Sequence, residues 1–368
     1  MSGLIIPLLR SSSRQAHSSK LIPTFLLTRT QTHKTYHPIY TIETKFQRNF
    51  TNTIITKMQA AIVQEWSEGP RYVTVDEAPA PTESQIQLRV LAAGLHQVVR
   101  SRASGRHYSA HNLPHMVGID CVGQDEATGK LYYHFSLSGG CFAERVTVDK
   151  TSAIPIPDGI DPVAFAGAVN PAMSSWMAIT QRTNDLPKDF TVLILGATSA
   201  SGRMAVHVAK ELGAAKVVGV GRNESSLGQV DGLDDYIVQK EVVSETDFSK
   251  VSSGVDLVLD YVYGDLAVHA LSTIETRARG PLQYVSIGSV SQGEANFPSA
   301  IFRSKDITMR GAGPGAWSIS ALQKELPVLV SAMAKWKLVE SYGFPLKDIA
   351  EVWTDKSLAS KGRLVAVP

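Results

Sequence analysis

The stretch Thr191-Val-Leu-Ile-Leu-Gly-Ala-Thr-Ser-Ala-Ser-Gly202 carries the plainest chemistry in this sequence. A β-branched strand runs into small residues, then into a helix whose inner face is Met204, Ala205, Val208, Ala209 and Leu212. Gly213 stands where such a helix needs a left-handed stop. At a turn of this kind, the free N–H groups and the positive end of the helix dipole face an anion. The candidate cradle is Ala197, Thr198, Ser199, Ala200, Ser201 and Gly202. Small side chains let a pyrophosphate approach the backbone, and Gly202 lets the helix lie close on the strand. The strict G-x-G-x-x-G pattern is absent, because Ala197 and Ser199 take the first two glycine places. A strand–turn–helix with no ligand is therefore the plain alternative. The next strand argues against it. Lys216–Val220 leads into Gly221-Arg222-Asn223, with Arg222 twenty residues beyond Gly202. An acid there would bind the ribose 2′-OH of NAD, whereas an arginine meets the 2′-phosphate of NADP. A solvated loop charge is the competing role for Arg222, but no acid precedes Glu224, and NADPH is the expected cofactor.

These residues need strand ends to hold them, and the chain supplies the strands. After residue 160, helical stretches alternate with short apolar runs at Thr191–Leu195, Lys216–Val220, Val255–Leu259, Leu282–Ile287 and Ile307–Arg310. Such alternation implies right-handed crossovers and a parallel sheet covered on both faces. Tyr261 and Tyr263 follow the third of these strands, and Ser286, Gly288 and Ser289 close the fourth. Ligands of open α/β sheets bind at carboxyl ends of strands, so Tyr261, Ser286, Gly288 and Ser289 are candidates for the cofactor groove. The serines equally suit turns that satisfy their own backbone. From Met58 to about Pro157 the pattern is strand and turn, which predicts an antiparallel, partly closed β region. A helix around Ala321–Trp336 and a strand at Arg363–Val367 end the chain.

Bulk properties bound the function. The 368 residues suit two domains, and 43% hydrophobic against 19% charged residues describes a globular chain. No apolar run approaches the roughly eighteen residues that span a bilayer, so no membrane insertion is expected. Residues 1–57 hold eight of the 36 Lys/Arg and one of the 34 acids, leaving the remainder net negative. A nucleic-acid surface, which needs concentrated Lys/Arg, is not expected. The leader is rich in Ser, Thr and Arg and poor in acids, as a mitochondrial transit peptide is. A disordered tail or an alternative start at Met58 are the other readings. The expected location is the mitochondrial matrix if the leader is real and the cytoplasm otherwise. Two cysteines, Cys121 and Cys141, build neither a disulfide framework nor a Cys₄ zinc site.

The order of these segments resembles the medium-chain dehydrogenase/reductase superfamily, in its zinc-free quinone oxidoreductase and enoyl reductase-like branch. The resemblance covers residues 58–368. It rests on Met58–Val63, Ala92-Ala93-Gly94, Pro114-His-Met-Val-Gly-Ile-Asp120, Gly139-Gly-Cys-Phe-Ala-Glu144, the Gly196–Gly202 turn, Asp260-Tyr-Val-Tyr-Gly264 and Lys361-Gly-Arg-Leu-Val365. It implies an α/β fold: a Rossmann doubly wound parallel sheet plus a mainly antiparallel β, GroES-like catalytic domain. The expected division is a leader 1–57, a first catalytic part 58–173, an NADP-binding domain 174–315 and a return segment 316–368. It also implies a homodimer through the edge strand Ile307–Arg310, since exposed edges invite pairing.

Zinc-dependent members place metal ligands where this chain has His96 and Ile119-Asp120. Isoleucine cannot bind metal, so no zinc is expected. The family's usual proton-relay residues fall at His96, Val99 and Ser101, and the chain departs from the pattern at all three. On the loop that faces the nicotinamide in the resembling fold, His96 and Tyr108 are the candidate donors to a developing oxyanion. A satisfied structural histidine is the rival role for His96, and a loop cover the rival for Tyr108. Asn170 and Ser174 lie on the segment beside the nicotinamide, where Asn170 could also cap a helix begun by Pro171. The expected activity is NADPH-dependent hydride transfer to a small-molecule quinone or α,β-unsaturated carbonyl. A mitochondrial enoyl thioester reductase and a catalytically silent NADPH-binding regulator are the alternatives. A hydrolase is not expected, because Gly288-Ser-Val-Ser-Gln-Gly293 fails the nucleophile-elbow spacing at Ser289.

Overall fold

The computed structural model describes residues 56–368 apart from Pro79, Tyr108 and Ala278. The expected leader lies outside the described residues except for its last two positions. Lys57 already belongs to the first strand, where its ammonium pairs with Asp76.

Eight strands come first: β1 (Lys57–Val63), β2 (Arg71–Asp76), β3 (Gln85–Gly94), β4 (His115–Met116), β5 (Asp120–Asp125), β6 (Leu131–Phe135), β7 (Arg145–Asp149) and β8 (Ala153–Pro155). Six more follow: β9 (Thr191–Leu195), β10 (Lys216–Gly221), β11 (Asp235–Val238), β12 (Leu257–Asp260), β13 (Leu282–Ser286) and β14 (Ile307–Gly311). The chain closes with β15 (Ser341–Pro345) and β16 (Arg363–Val367).

The six middle strands form a parallel sheet in the order β11-β10-β9-β12-β13-β14. This is a doubly wound order whose direction reverses between β9 and β12, and the crevice beyond their carboxyl ends is where such sheets take ligands. All five residues of β9 are buried, as expected of a central strand covered on both faces. β11 is the strand that hydropathy did not reveal; Asp235-Tyr-Ile-Val238 lies at a sheet edge with only Ile237 buried.

The early strands pair antiparallel. β1 lies between β2 and β4, while β3, β5, β6, β7 and β8 share a second sheet with β16. β16 brings the end of the chain against the end of β3, with Val365 opposite Gly94. β15 pairs with β16 in parallel, the one departure from antiparallel pairing in that sheet.

Helix α1 (Gln97–Ala103) leaves β3, and α2 (Pro162–Arg182) connects the two halves. Asp161 caps α2 by accepting from the amides of Val163 and Ala164, and Pro162 occupies its first turn. α2 then runs unbroken through Pro171, so Asn170 is helix interior and not a cap. The expected boundary at 173/174 therefore falls inside one helix. Pro171 removes one backbone bond, to Gly167, but packing against both sheets outweighs the loss: thirteen of the twenty-one residues are buried.

Three buried or half-buried histidines give this fold a direction of pH sensitivity. Burial lowers the pKa of His115, His134 and His207. A depressed folded-state pKa means that the unfolded chain binds more protons below about 6.5, so stability is full above that pH and lost as pH falls through it. Thermal midpoints measured from pH 7.5 to 5 should therefore drop, and His134→Gln should flatten the slope; a midpoint that rises on acidification contradicts this.

Candidate active site

The turn at Gly196–Gly202 joins a buried strand to a helix, the local structure that the sequence implies. β9 delivers Gly196, and Ser199 caps α3 (Ala200–Glu211), its hydroxyl accepting from the Gly202 amide at 3.0 Å and donating to the Gly196 carbonyl at 2.8 Å. The amides of Gly196 and Ala197 bond Val220, and that of Ser199 bonds Gly196. Among the described residues the amides of Thr198, Ala200 and Ser201 have no partner. Unsatisfied donors at a helix N-terminus are what a diphosphate requires. A Cβ on Gly202 would stand 2.3 Å from the Gly196 carbonyl oxygen, so glycine alone lets α3 reach β9 this closely. These residues fit an NADP diphosphate.

Arg203, which sequence reading passed over, braces the turn. Its guanidinium donates to Thr198 O, Gln229 O and Ser226 O at 3.2–3.4 Å, tying the cradle to the segment after β10. That segment presents Arg222, exposed and with no hydrogen bond or ion pair among the described residues. Asn223 caps the short helix α4 (Glu224–Gly228), its side-chain oxygen accepting from Ser226 N at 2.8 Å.

Thr198, Ser199 and Ala200 line a cleft of about 870 Å³ whose opposite wall comes from the antiparallel half: Leu95, Gln97, Arg100 and Arg363. Arg100 stacks on Trp353 at 4.9 Å and donates to its carbonyl at 2.8 Å. Burial lowers the pKa of both arginines, and the charge of Asp120 draws that of Arg363 back up. Two cations on the wall facing the free amides complement a diphosphate. Arg363 belongs to the closing segment Lys361–Val365, yet nothing in its spacing reveals that it reaches this cleft, because β16 pairing with β3 puts it there.

The strand-end candidates separate into two groups. Ser286, Gly288 and Ser289 line a second cavity of about 490 Å³ with Tyr263 and Arg310. Tyr261 turns inward instead, only 6% exposed, with its hydroxyl 2.6 Å from Ser175 Oγ on α2. Burial pushes its phenol up to about 12. It locks β12 to α2, a packing role in place of the groove contact expected from its position. Ser174 donates to Pro171 O at 2.6 Å, and Asn170 remains half-buried on the same helix. The turn after β12 is held by Asp260, which accepts from Tyr284 at 2.5 Å and from the amides of Val262 and Tyr263. Burial raises its carboxyl above the usual range against the pull of those donors.

Of the two proton-donor candidates, Tyr108 lies outside the described residues. His96 follows β3 and is 1% exposed. Its Nε2 lies 3.1 Å from Asp120 Oδ2 on β5, and the same oxygen accepts from the Tyr133 hydroxyl on β6 at 2.9 Å. Room for the ring exists because residue 94 is glycine; a Cβ there would meet Nε2 at 2.1 Å. Ile119, at the place of a zinc ligand in zinc-dependent members, is buried in an apolar cluster with Val117 and Cys141. Among the described residues no group of three or more His, Cys, Asp or Glu is placed to hold a metal ion.

This arrangement, a doubly wound dinucleotide sheet joined to an antiparallel domain across a basic cleft, recurs in known oxidoreductases. No family model matches the chain. A protein of Emericella nidulans described as a probable NADPH-dependent quinone reductase is 37% identical over 359 residues, covering 84% of this chain and all of that one. An acryloyl-coenzyme A reductase of Sulfurisphaera tokodaii is 33% identical over 125 residues, 33% of this chain and 36% of its own. The crystal structure of a quinone oxidoreductase from Thermus thermophilus, also solved with NADPH, superposes with a TM-score of 0.65. It covers 84% of this chain and all of its own at 23% identity. The chain belongs to the medium-chain dehydrogenase/reductase superfamily, in its quinone oxidoreductase branch, and is an oxidoreductase.

Proposed function

We propose that the protein reduces quinones or α,β-unsaturated carbonyl compounds with NADPH and without zinc. The observation that carries this reading is the pairing of three amides at the α3 N-terminus with an arginine at the end of β10, all of them without a partner among the described residues. The first suits a diphosphate and the second a 2′-phosphate. The names of the fungal and archaeal relatives support the two acceptor classes. Bound NADPH supplies the hydride. The chain's own part is to hold and orient: the amides of Thr198, Ala200 and Ser201 grip the diphosphate with Arg100 and Arg363 opposite. Asn170, half-buried on α2, would hold the carboxamide, and His96 supplies a proton to the acceptor oxygen. Isoleucine at position 119 supports a zinc-free site. The part-exposed edge strand β14 supports a homodimer, and the basic, acid-poor leader supports a mitochondrial address.

Stopped-flow consumption of NADPH across quinones, enones and enoyl thioesters tests the activity, with sedimentation on the same preparation reporting the assembly. The expected outcome is rapid oxidation with quinones or enones by a dimer. Tight NADPH binding with no turnover on any acceptor would make the protein a silent binder instead.

A further inference from the structure

The buried polar cluster behind the cleft goes beyond a lone histidine. Asp120 is fully enclosed, and its neighbours Ile119, Cys121 and Phe142 are apolar. Burying a carboxylate costs several kcal/mol unless it is paired, and a well-packed apolar set would serve stability as well or better. The cluster is also incomplete. Among the described residues His96 Nδ1 and Asp120 Oδ1 are buried with no partner, and so is Nε of Arg363, which lines the cleft and feels the charge of Asp120. A buried ring nitrogen without a partner asks for an explanation.

We propose that His96, Asp120 and Tyr133 form a proton-delivery chain to the cleft, in which Asp120 and Tyr133 are positioning residues that act through the imidazole. This rests on the reductase reading above. Asp120 Oδ2 accepts a hydrogen bond from Nε2–H and so leaves Nδ1 as the ring nitrogen with no partner among the described residues. Tyr133 donates to the same oxygen and holds the carboxylate in place. Burial and the neighbouring carboxylate raise the phenol well above its usual range, so it stays a donor. Any proton the ring gives up must then leave from Nδ1. Leu95 and Gln97, the two neighbours of His96 in the chain, both line the cleft, while the imidazole itself is buried behind it. When the acceptor has taken a hydride, its oxygen carries the negative charge. The Nδ1–H bond breaks, the O–H bond forms, the imidazolium becomes neutral imidazole, and solvent restores the proton.

The chain matters only for acceptors that need a proton, and this makes it testable. Chloranil yields a hydroquinone acidic enough to leave as an anion, whereas duroquinone yields a weakly acidic one. In the full chain, Asp120→Asn should lower kcat with duroquinone by about 30–100-fold and with chloranil by less than about threefold, leaving KM for NADPH unchanged. Tyr133→Phe, which keeps the packing ring, should show the same acceptor dependence at about 3–10-fold. His96→Gln combined with Asp120→Asn should be no slower than His96→Gln alone. NMR of the imidazole nitrogens in the unliganded protein should show an Nε2 proton on His96 that is protected from exchange and becomes exposed in Asp120→Asn. Equal losses with both quinones, additive losses in the double variant, or an unchanged imidazole spectrum would overturn the relay while the reductase reading stands. No turnover by the unaltered chain with either quinone or with any enone or enoyl thioester would overturn the reductase reading and the relay with it.

Discussion

Gly202→Ala should raise the dissociation constant for NADPH by at least about 100-fold, because a misplacement near 1 Å of a positioned group is enough for such a loss. The added methyl carbon would sit 2.3 Å from the Gly196 carbonyl oxygen, 2.7 Å from Ala197 Cα and 2.9 Å from Ala197 C. All three are backbone atoms of the turn itself, so no side chain can swing aside. The helix must lift from β9, and two things move with it. The amides of Ala200 and Ser201 leave the positions in which they converge on an anion. The buried face of Met204, Ala205, Val208 and Ala209 loses its fit against the core. Overpacking of this kind costs about 1–3 kcal/mol, which should also appear as a lowered thermal midpoint. Gly228→Ala is the control, since a methyl group there meets nothing within 4 Å and should leave binding unchanged. Calorimetric titration of both variants decides the matter. A Gly202→Ala protein that binds NADPH within threefold of the parent would remove the α3 N-terminus from the cofactor site.

This turn was legible in the sequence because its determinants are local. A buried strand, a run of small residues and an amphipathic helix follow one another within about two dozen positions, and each step constrains the next. Arg222 was legible for the same reason, since strand, turn and charge are contiguous. The proton-delivery cluster was not. Asp120 and Tyr133 lie 24 and 37 positions from His96, and they meet only because β5 and β6 pair with Val122 opposite Tyr133. No periodicity records an antiparallel register. The one local hint was a carboxylate inside Val117-Gly-Ile-Asp-Cys-Val122, a stretch otherwise apolar.

Asn170 teaches a related point. Asn-Pro is a sound helix-start signal, and the same kind of signal stands nine residues earlier as Asp161-Pro162, where the helix does begin. Local chemistry offered two starts, and tertiary burial chose between them. Tyr261 shows the limit of placing residues by strand end alone. Its Cα is where a groove residue should be, but its side chain points back to Ser175 on α2. A strand end fixes a position; which way the next side chain turns is set by what packs against it.

Arg222 should set coenzyme choice almost by itself. The guanidinium is exposed at the end of β10 and has no acidic partner among the described residues, so an incoming phosphate displaces none of them. Its backbone is nonetheless held: Asn223 caps the following helix, and Arg203 ties that helix to the diphosphate turn. The distance between the two phosphate subsites is therefore fixed by the fold. A charge-assisted contact to a phosphate contributes about 1.5–3 kcal/mol, so Arg222→Ala should weaken NADPH by roughly 10–100-fold. NADH, which lacks the extra phosphate, should change by less than about twofold, because the diphosphate contacts made through α3 are untouched. Salt provides a second reading of the same contact. In the parent protein the preference for NADPH over NADH should shrink as ionic strength rises, since an exposed pair is screened. In Arg222→Ala that dependence should disappear. If the substitution weakened both coenzymes alike, Arg222 would be acting on the shape of the site and not on the phosphate, and the preference for NADPH would have to come from another cation in the basic cleft.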